Sequence, residues 1–121
     1  MSALFDSCIL IDSLVGRDVA RRELRRHPRR LISVVSWIEV MTGAGPSEER
    51  STRAMLAGFE VIQTSPAIAN LTVRLRGFGL KLPDAVILAT AMAEDAVLVT
   101  RDARLLSIAA EHVATLKPYE I

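Results

Sequence analysis

The stretch from Lys81 to Leu106, KLPDAVILATAMAEDAVLVTRDARLL, decides the fold. It reads as helix, turn, strand, turn, helix. Pro83 suits a first helical turn, where its missing N–H is no loss. Asp84 beside it is favoured by the positive end of the helix dipole. The AVILATAMA that follows is apolar almost all round, the mark of a helix buried in a domain interior. Ala96 to Val99 (AVLV) is a short apolar run suited to a strand buried on both faces. Thr100, Arg101 and Asp102 leave that strand and open the next helix, over 103–110. Asp84 and Asp102 therefore both lie near helix N-termini. Asp102 also lies just past the carboxyl end of a parallel strand, the edge where open α/β sheets place their chemistry.

Working outward, Ser2 to Phe5 (SALF) reads as a first strand that runs straight into Asp6. Apolar residues at 9, 10, 14 and 15 then follow at roughly helical spacing until Gly16. Residues 18–27 form a strongly basic helix that Pro28 ends. Leu31 to Val35 reads as a second strand. Ser36 and Glu39 match the capping-box pattern at the start of a helix closed by Gly43 and Gly45. A polar helix over 47–59 leads to a third strand, Glu60 to Gln63. Ser65 and Pro66 read as the cap and first position of a helix reaching Arg76. A weak edge strand around 113–117 ends before Pro118. Strands separated by helices imply an α/β domain spanning 1–121, with a central parallel sheet of four to five strands and helices on both faces.

Composition narrows the class. Half of the 121 residues are hydrophobic and only 4% are aromatic, so Leu, Ile, Val and Ala must build the core. No apolar run approaches the roughly 20 residues of a membrane span. A secretory leader pattern is missing and the one cysteine, Cys8, has no internal partner, so a cytoplasmic protein with no membrane association is expected. Net charge is +1, but residues 1–30 carry +3 and the remainder −2. Thirteen of the fifteen basic residues are Arg, which suits contact with phosphates. Arg21 with Arg25, and Arg22 with Arg26, are like-charged i,i+4 pairs. They mark either a solvated face or the docking site of a polyanion.

Four acids share one structural address. Asp6 follows the first strand, Glu39 lies in the first turn after the second, Asp84 opens the buried helix and Asp102 follows the fourth strand. Singly, each is explained as a helix cap or first-turn acid. Together they are not, because every strand-to-helix turn of a parallel sheet lies on the same edge. If strands one, two and four are neighbours, four carboxylates converge, and their repulsion calls for a divalent cation. Oxygen ligands without His or Cys point to Mg²⁺ or Mn²⁺. The histidines, His27 and His112, sit in charged helix contexts that read as surface. Cys8 has no His partner placed by any motif and reads as a small buried apolar residue. No glycine-rich phosphate loop is present.

FDSCILID, SVVSWIEVMTG, LPDAVILATA and LVTRD resemble the four acidic motifs of PIN domains. In length and motif order the chain is similar to the VapC-type toxins of bacterial toxin–antitoxin pairs. The resemblance runs from Phe5 to about Leu105 and is weakest over 47–78. It implies a three-layer PIN-like fold. It makes Asp6, Glu39, Asp84 and Asp102 the catalytic, metal-binding acids, with Ser7 and Thr100 as polar supports beside them. Many relatives carry Asn where Asp102 stands, so the fourth position here is a full carboxylate. Asp12, which recurs in the first motif, lies two helical turns from Asp6 and falls outside the expected site. The implied activity is a Mg²⁺- or Mn²⁺-dependent endoribonuclease using metal-activated water, the toxin of a type II pair. Arg21, Arg22, Arg25, Arg26 and Arg101 are its candidates for holding RNA phosphates. The implied partners are RNA, a cognate antitoxin and a second copy of the chain. An apolar groove near Leu14, Trp37 and Met41 is the expected antitoxin seat.

Three other readings bound this one. A solitary nuclease would share the site but have no antitoxin. A PIN-fold RNA-binding scaffold would be marked by lost acids, and none is lost. A receiver-like phosphoacceptor domain has the same size and layering. It needs an Asp after the third strand and a Lys in the last turn. Gln63 and Thr64 occupy the first place and Arg101 the second.

Overall fold

The structure is a computed structural model that describes residues 2–120. Five strands, β1 (Ala3–Phe5), β2 (Arg30–Ser33), β3 (Glu60–Ile62), β4 (Val97–Val99) and β5 (Thr115–Leu116), form one sheet. Their order is β3-β2-β1-β4-β5 and every pairing is parallel. β1 is thus the central strand, flanked by β2 and β4. Those are the neighbours that convergence of the acids requires.

Seven helices connect the strands: α1 (Ser7–Leu14), α2 (Asp18–Arg25), α3 (Val34–Gly43), α4 (Glu49–Leu56), α5 (Pro66–Arg76), α6 (Leu82–Ala93) and α7 (Ala103–Ala109). The two-residue alternation of the strands sorts side chains between two cores. Ala3, Phe5, Ile32 and Val99 face one side and pack with Ile9, Leu10, Leu24, Val40 and Leu56 from α1 to α4. Leu4, Leu31 and Leu98 face the other and pack with Ile68 and Leu75 of α5, Ile87 and Leu88 of α6, and Leu105 of α7. Helix, sheet, helix is the expected three-layer arrangement.

α6 behaves as its composition requires. Seven consecutive residues, Ala85–Ala91, are buried, and the one polar member, Thr90, donates its hydroxyl to the Val86 carbonyl at 2.7 Å. Such a helix is held from all sides, so Leu88→Ala would leave a cavity costing ~2–5 kcal/mol. Asp84 therefore sits at the mouth of the most fully buried helix of the fold.

Two local readings are corrected. The second strand stops at Ser33, which pairs in register with Ile62, and Val34 and Val35 are helical. Ser33 Oγ accepts from the Val35 N–H at 3.1 Å and caps α3. Ser36 is inside the helix, fully buried, with its hydroxyl unpartnered. The capping box at Ser36 and Glu39 does not form. Two serines three apart offered two helix starts; the β-branched valines favoured the later, and the ladder to β3 selected the earlier. The last strand is also shorter than 113–117.

Candidate functional site

Asp6 is the centre of the carboxyl edge. It follows β1, caps α1 and is only 5% exposed. Burying a carboxylate is tolerable only where donors surround it, and here they do. Oδ1 accepts from the Ser7 N–H at 2.8 Å and lies 3.4 Å from the Ser7 hydroxyl. Oδ2 accepts from the Thr100 hydroxyl at 2.7 Å and contacts Cys8 Sγ at 3.4 Å. Thr100 reaches Asp6 because Phe5 and Val99 are in register, so the residues that follow them meet. The same hydroxyl oxygen accepts from the Asp102 N–H at 3.1 Å. One threonine thus ties two of the four acids to one strand end.

The other acids arrive by different routes. Asp102 caps α7, its Oδ1 accepting from the N–H groups of Arg104 and Leu105 at 2.9 and 3.2 Å. Asp84 lies in the first turn of α6. Glu39, freed from the capping box, lies in the second turn of α3 rather than the first. Capping therefore does not explain it. The Ser7 hydroxyl, 3.4 Å from Asp6 Oδ1, also acts on Glu39, lowering its pKa.

The carboxylates act on one another. Glu39, although exposed at the surface, is raised above the ordinary range, first by loss of hydration and then by the charges of Asp6 and Asp84, with Ser7 opposing. Asp84 is raised by burial and then by Asp6 and Asp102, with Lys81 and Arg104 opposing. Each acid is thus coupled to at least one other. Among the described residues no three acidic, His or Cys side chains close into a ready metal cage as they stand. The donor set nonetheless fits a hard divalent cation. It is made of oxygens from four carboxyl groups, whose mutual repulsion a cation relieves.

The expected phosphate-binding arginines divide. Arg101 is committed elsewhere: Nε and Nη2 donate to Asp12 Oδ2 and Oδ1 at 2.7 and 3.1 Å, which removes it as a free cation. On α2, Arg21 Nε donates to the Ser13 carbonyl at 3.2 Å and Arg26 pairs with Glu23 at 2.7 Å. Arg22, Arg25 and Arg26 line an open groove of about 550 Å³ against Pro118 and Tyr119. None of the α2 arginines is among the charges acting on Asp84; those cations are Lys81 and Arg104. Arg104 Nη2 donates to the Gly79 carbonyl at 2.7 Å, and Gly79 holds a left-handed turn (φ +89°) that suits glycine. Sequence reasoning passed over Lys81 and Arg104, although each lies within three residues of a site acid.

Cys8 and the histidines also differ from expectation. Cys8 is half-buried and contacts Asp6 and Thr100; burial and then the Asp6 charge push its thiol up to about 11. His27 is hydrogen-bonded to Glu23 and packs edge-on against Phe5, and His112 packs edge-on against Phe78. Neither is a simple surface residue. The apolar seat near Leu14, Trp37 and Met41 is two grooves: Trp37 and Met41 line one with α4, while Leu14 lines another with Ile11, Val15 and Glu39.

Known proteins share this architecture. One chain of a toxin–antitoxin complex from Klebsiella pneumoniae is 43% identical, over 98% of this chain and 99% of that one, with a TM-score of 0.89. FitAcB from Neisseria gonorrhoeae (16% identical, 98% and 99% covered, TM-score 0.81) shares the fold. So does VapBC2 from Rickettsia felis bound to a DNA fragment from their promoter (20%, 96% and 98%, 0.75). An uncharacterised protein of Archaeoglobus fulgidus is 49% identical over 35 residues, which are 29% of this chain and 57% of that protein's length. The PIN domain model matches residues 3–111, from the first residue of β1 to just beyond α7. With that match over most of its length and a 3-2-1-4-5 parallel sheet, the chain belongs to the PIN domain family.

Proposed function

We propose that this protein is a Mg²⁺- or Mn²⁺-dependent endoribonuclease and the toxin of a type II toxin–antitoxin pair. One observation carries the reading: Asp6, Glu39, Asp84 and Asp102 come from four segments and form one electrostatically coupled group at the carboxyl edge. Three of the four have a local structural role, but Glu39 has none, so local structure alone does not account for the group.

In this reading the four carboxylates hold the cation. When bound, it supplies a Lewis acid for the scissile phosphate and lowers the pKa of water. The chain's own residues do the rest. Thr100 and Ser7 orient Asp6 by donating to both of its oxygens. Asp102 is oriented by the backbone of α7, since both cap bonds fall on Oδ1. Lys81 and Arg104 take the phosphates flanking the scissile bond, with the exposed Arg22 and Arg25 further along the backbone. A cation at this rim positions the strand without reading sequence.

The likeness to a chain of the Klebsiella pneumoniae toxin–antitoxin complex supports a protein antitoxin as partner. The groove of about 220 Å³ lined by Ile11, Leu14, Val15 and Val40 is its seat, because Glu39 lines the same groove and an occupant would cover the cleft. A second copy of the chain has exposed Val73, Phe78 and Leu82 to cover. No helix of the described residues is long and apolar enough to cross a membrane.

The test is cleavage of RNA by the purified chain in Mn²⁺. Activity should vanish in EDTA and in Asp84→Asn. Full-rate cleavage in chelator would overturn the metal reading, and cleavage of DNA in preference to RNA would overturn the substrate.

A further inference from the structure

Asp12 is only 3% exposed, yet it is not one of the four cleft acids. Its carboxylate is surrounded. Besides the two bonds from Arg101, the Tyr119 hydroxyl donates to Oδ2 at 2.8 Å, and Arg17 Nε lies 3.8 Å from Oδ1. Arg101 is the middle residue of the turn between β4 and α7, and both its neighbours serve the cleft. Thr100 donates to Asp6, and Asp102 is a cleft acid whose N–H is bonded to Thr100.

Asp6 and Asp12 stand on the same helix, six residues or about 9 Å apart by helical rise. α1 therefore holds the β4–α7 turn at two points. The short Thr100 meets the helix cap, and the long Arg101 reaches the second turn. Backbone bonds from the Asp6 N–H to the Val99 carbonyl and from the Thr100 N–H to the Leu116 carbonyl, at 3.0 and 3.1 Å, hold the strand end together with the Thr100 hydroxyl, so the freedom left to the turn is that of the Arg101 side beyond it. A bidentate guanidinium–carboxylate contact fixes orientation as well as distance, and removes that freedom.

We propose that Asp12 is a positioning residue for the nuclease centre: by clamping Arg101 it fixes the turn that sets Thr100 against Asp6 and holds Asp102 beside Asp84. This rests on the reading of the cleft as a divalent-cation site, and it assigns work to an acid that touches neither cation nor substrate.

The test is Mn²⁺ affinity, measured by calorimetry on the full chain well below the melting temperature of every variant. Asp12→Asn and Arg101→Gln should each weaken Mn²⁺ binding by about tenfold, as loss of the groups that orient metal ligands does. The double variant should be no weaker than the worse single one, because both act through one contact. Tyr119→Phe removes a bond to the same carboxylate without touching the turn. It should lower the melting temperature yet leave Mn²⁺ affinity within about twofold of wild type, well short of the loss expected for an orienting group. Unchanged affinity in Asp12→Asn overturns the inference while leaving the cleft reading intact. So does full recovery in the double variant, which would mean that a released Arg101 merely competes with the cation. Equal weakening in Tyr119→Phe also overturns it, since affinity would then follow general stability. A wild-type chain that binds no Mn²⁺ overturns the cleft reading, and the clamp with it.

Discussion

Glu39 and Asp84 on the one hand, and Asp12 on the other, are carboxylates placed under opposite electrostatics. Glu39 and Asp84 face other acids, and loss of hydration with like charge raises both. Burial would raise Asp12 too, but hydrogen bonds from Arg101 and Tyr119, with the charges of Arg101 and Arg17, outweigh it and hold the group low. Asp12 is the more buried of the three and the better satisfied. Burial alone therefore does not mark an acid that faces a ligand; the sign of its surroundings does. A carboxylate matched by cations stabilises the fold, whereas carboxylates left facing one another hold a repulsion that a ligand can relieve.

The comparison can be broken most sharply through activity. Asp84→Asn should reduce RNA cleavage by more than about a thousandfold in a gel assay, the scale of losing a central catalytic group. Asp12→Ala should, besides weakening Mn²⁺ binding through the turn, cost stability that Asp84→Asn does not. Removing one partner of a buried pair costs ~3–5 kcal/mol, with the low end expected because Arg101 retains some exposure. Denaturant unfolding measures it, and a loss below about 1 kcal/mol would place the pair among weak surface bridges. If Asp84→Asn left cleavage intact while Asp12→Ala left stability intact, the contrast between the two regions would be gone.

Phosphate contacts come next in size. Lys81→Ala and Arg104→Ala should each reduce the salt dependence of RNA binding by up to about one slope unit. Arg101→Gln should leave the slope unchanged, its charge already being matched by Asp12. A full slope unit lost in Arg101→Gln would return that residue to the phosphate-binding set.

The smallest effect carries the most information, because its sign differs between the two regions. Groups raised in the folded state contribute stability at low pH and lose it as pH rises through the folded values. In EDTA, Asp84→Asn should therefore melt above wild type at neutral pH, and the gain should shrink as the solution becomes acidic. Asp12 is lowered, so its contribution is present above the unfolded value and is lost as pH falls through the folded one. Asp12→Asn should melt below wild type at neutral pH, with the deficit shrinking in acid. Parallel pH trends in the two variants would show that the cleft acids do not repel.

Much of this was legible in the chain. The apolar run 85–91 announced a fully buried helix, because a helix with no polar face has nowhere else to go. Ser65 and Pro66 announced the start of α5, since a cap and a preset φ act within a few residues. Asp6 and Asp102 were candidates because each follows a strand, and a parallel sheet puts those turns on one edge; Glu39 and Asp84 do not follow strand ends in this way and were assigned to the site through the family's motifs. Where two local solutions competed, reading failed: Ser33 and Ser36 could each cap α3, and pairing with a strand some 30 residues away chose between them.

What the sequence determined by itself, then, was the layering, the parallel sheet and the candidate acids, all products of periodicity and of chemistry between near neighbours. Tertiary structure alone decided which charges are spent and which are free. Arg101 looked like a rim cation and is matched to Asp12; Lys81 and Arg104 look unremarkable in the chain and stand beside Asp84. Asp12 and Arg101 are separated by 89 positions. Electrostatic partnership falls off with distance through space, not along the chain, so no local pattern could have paired them.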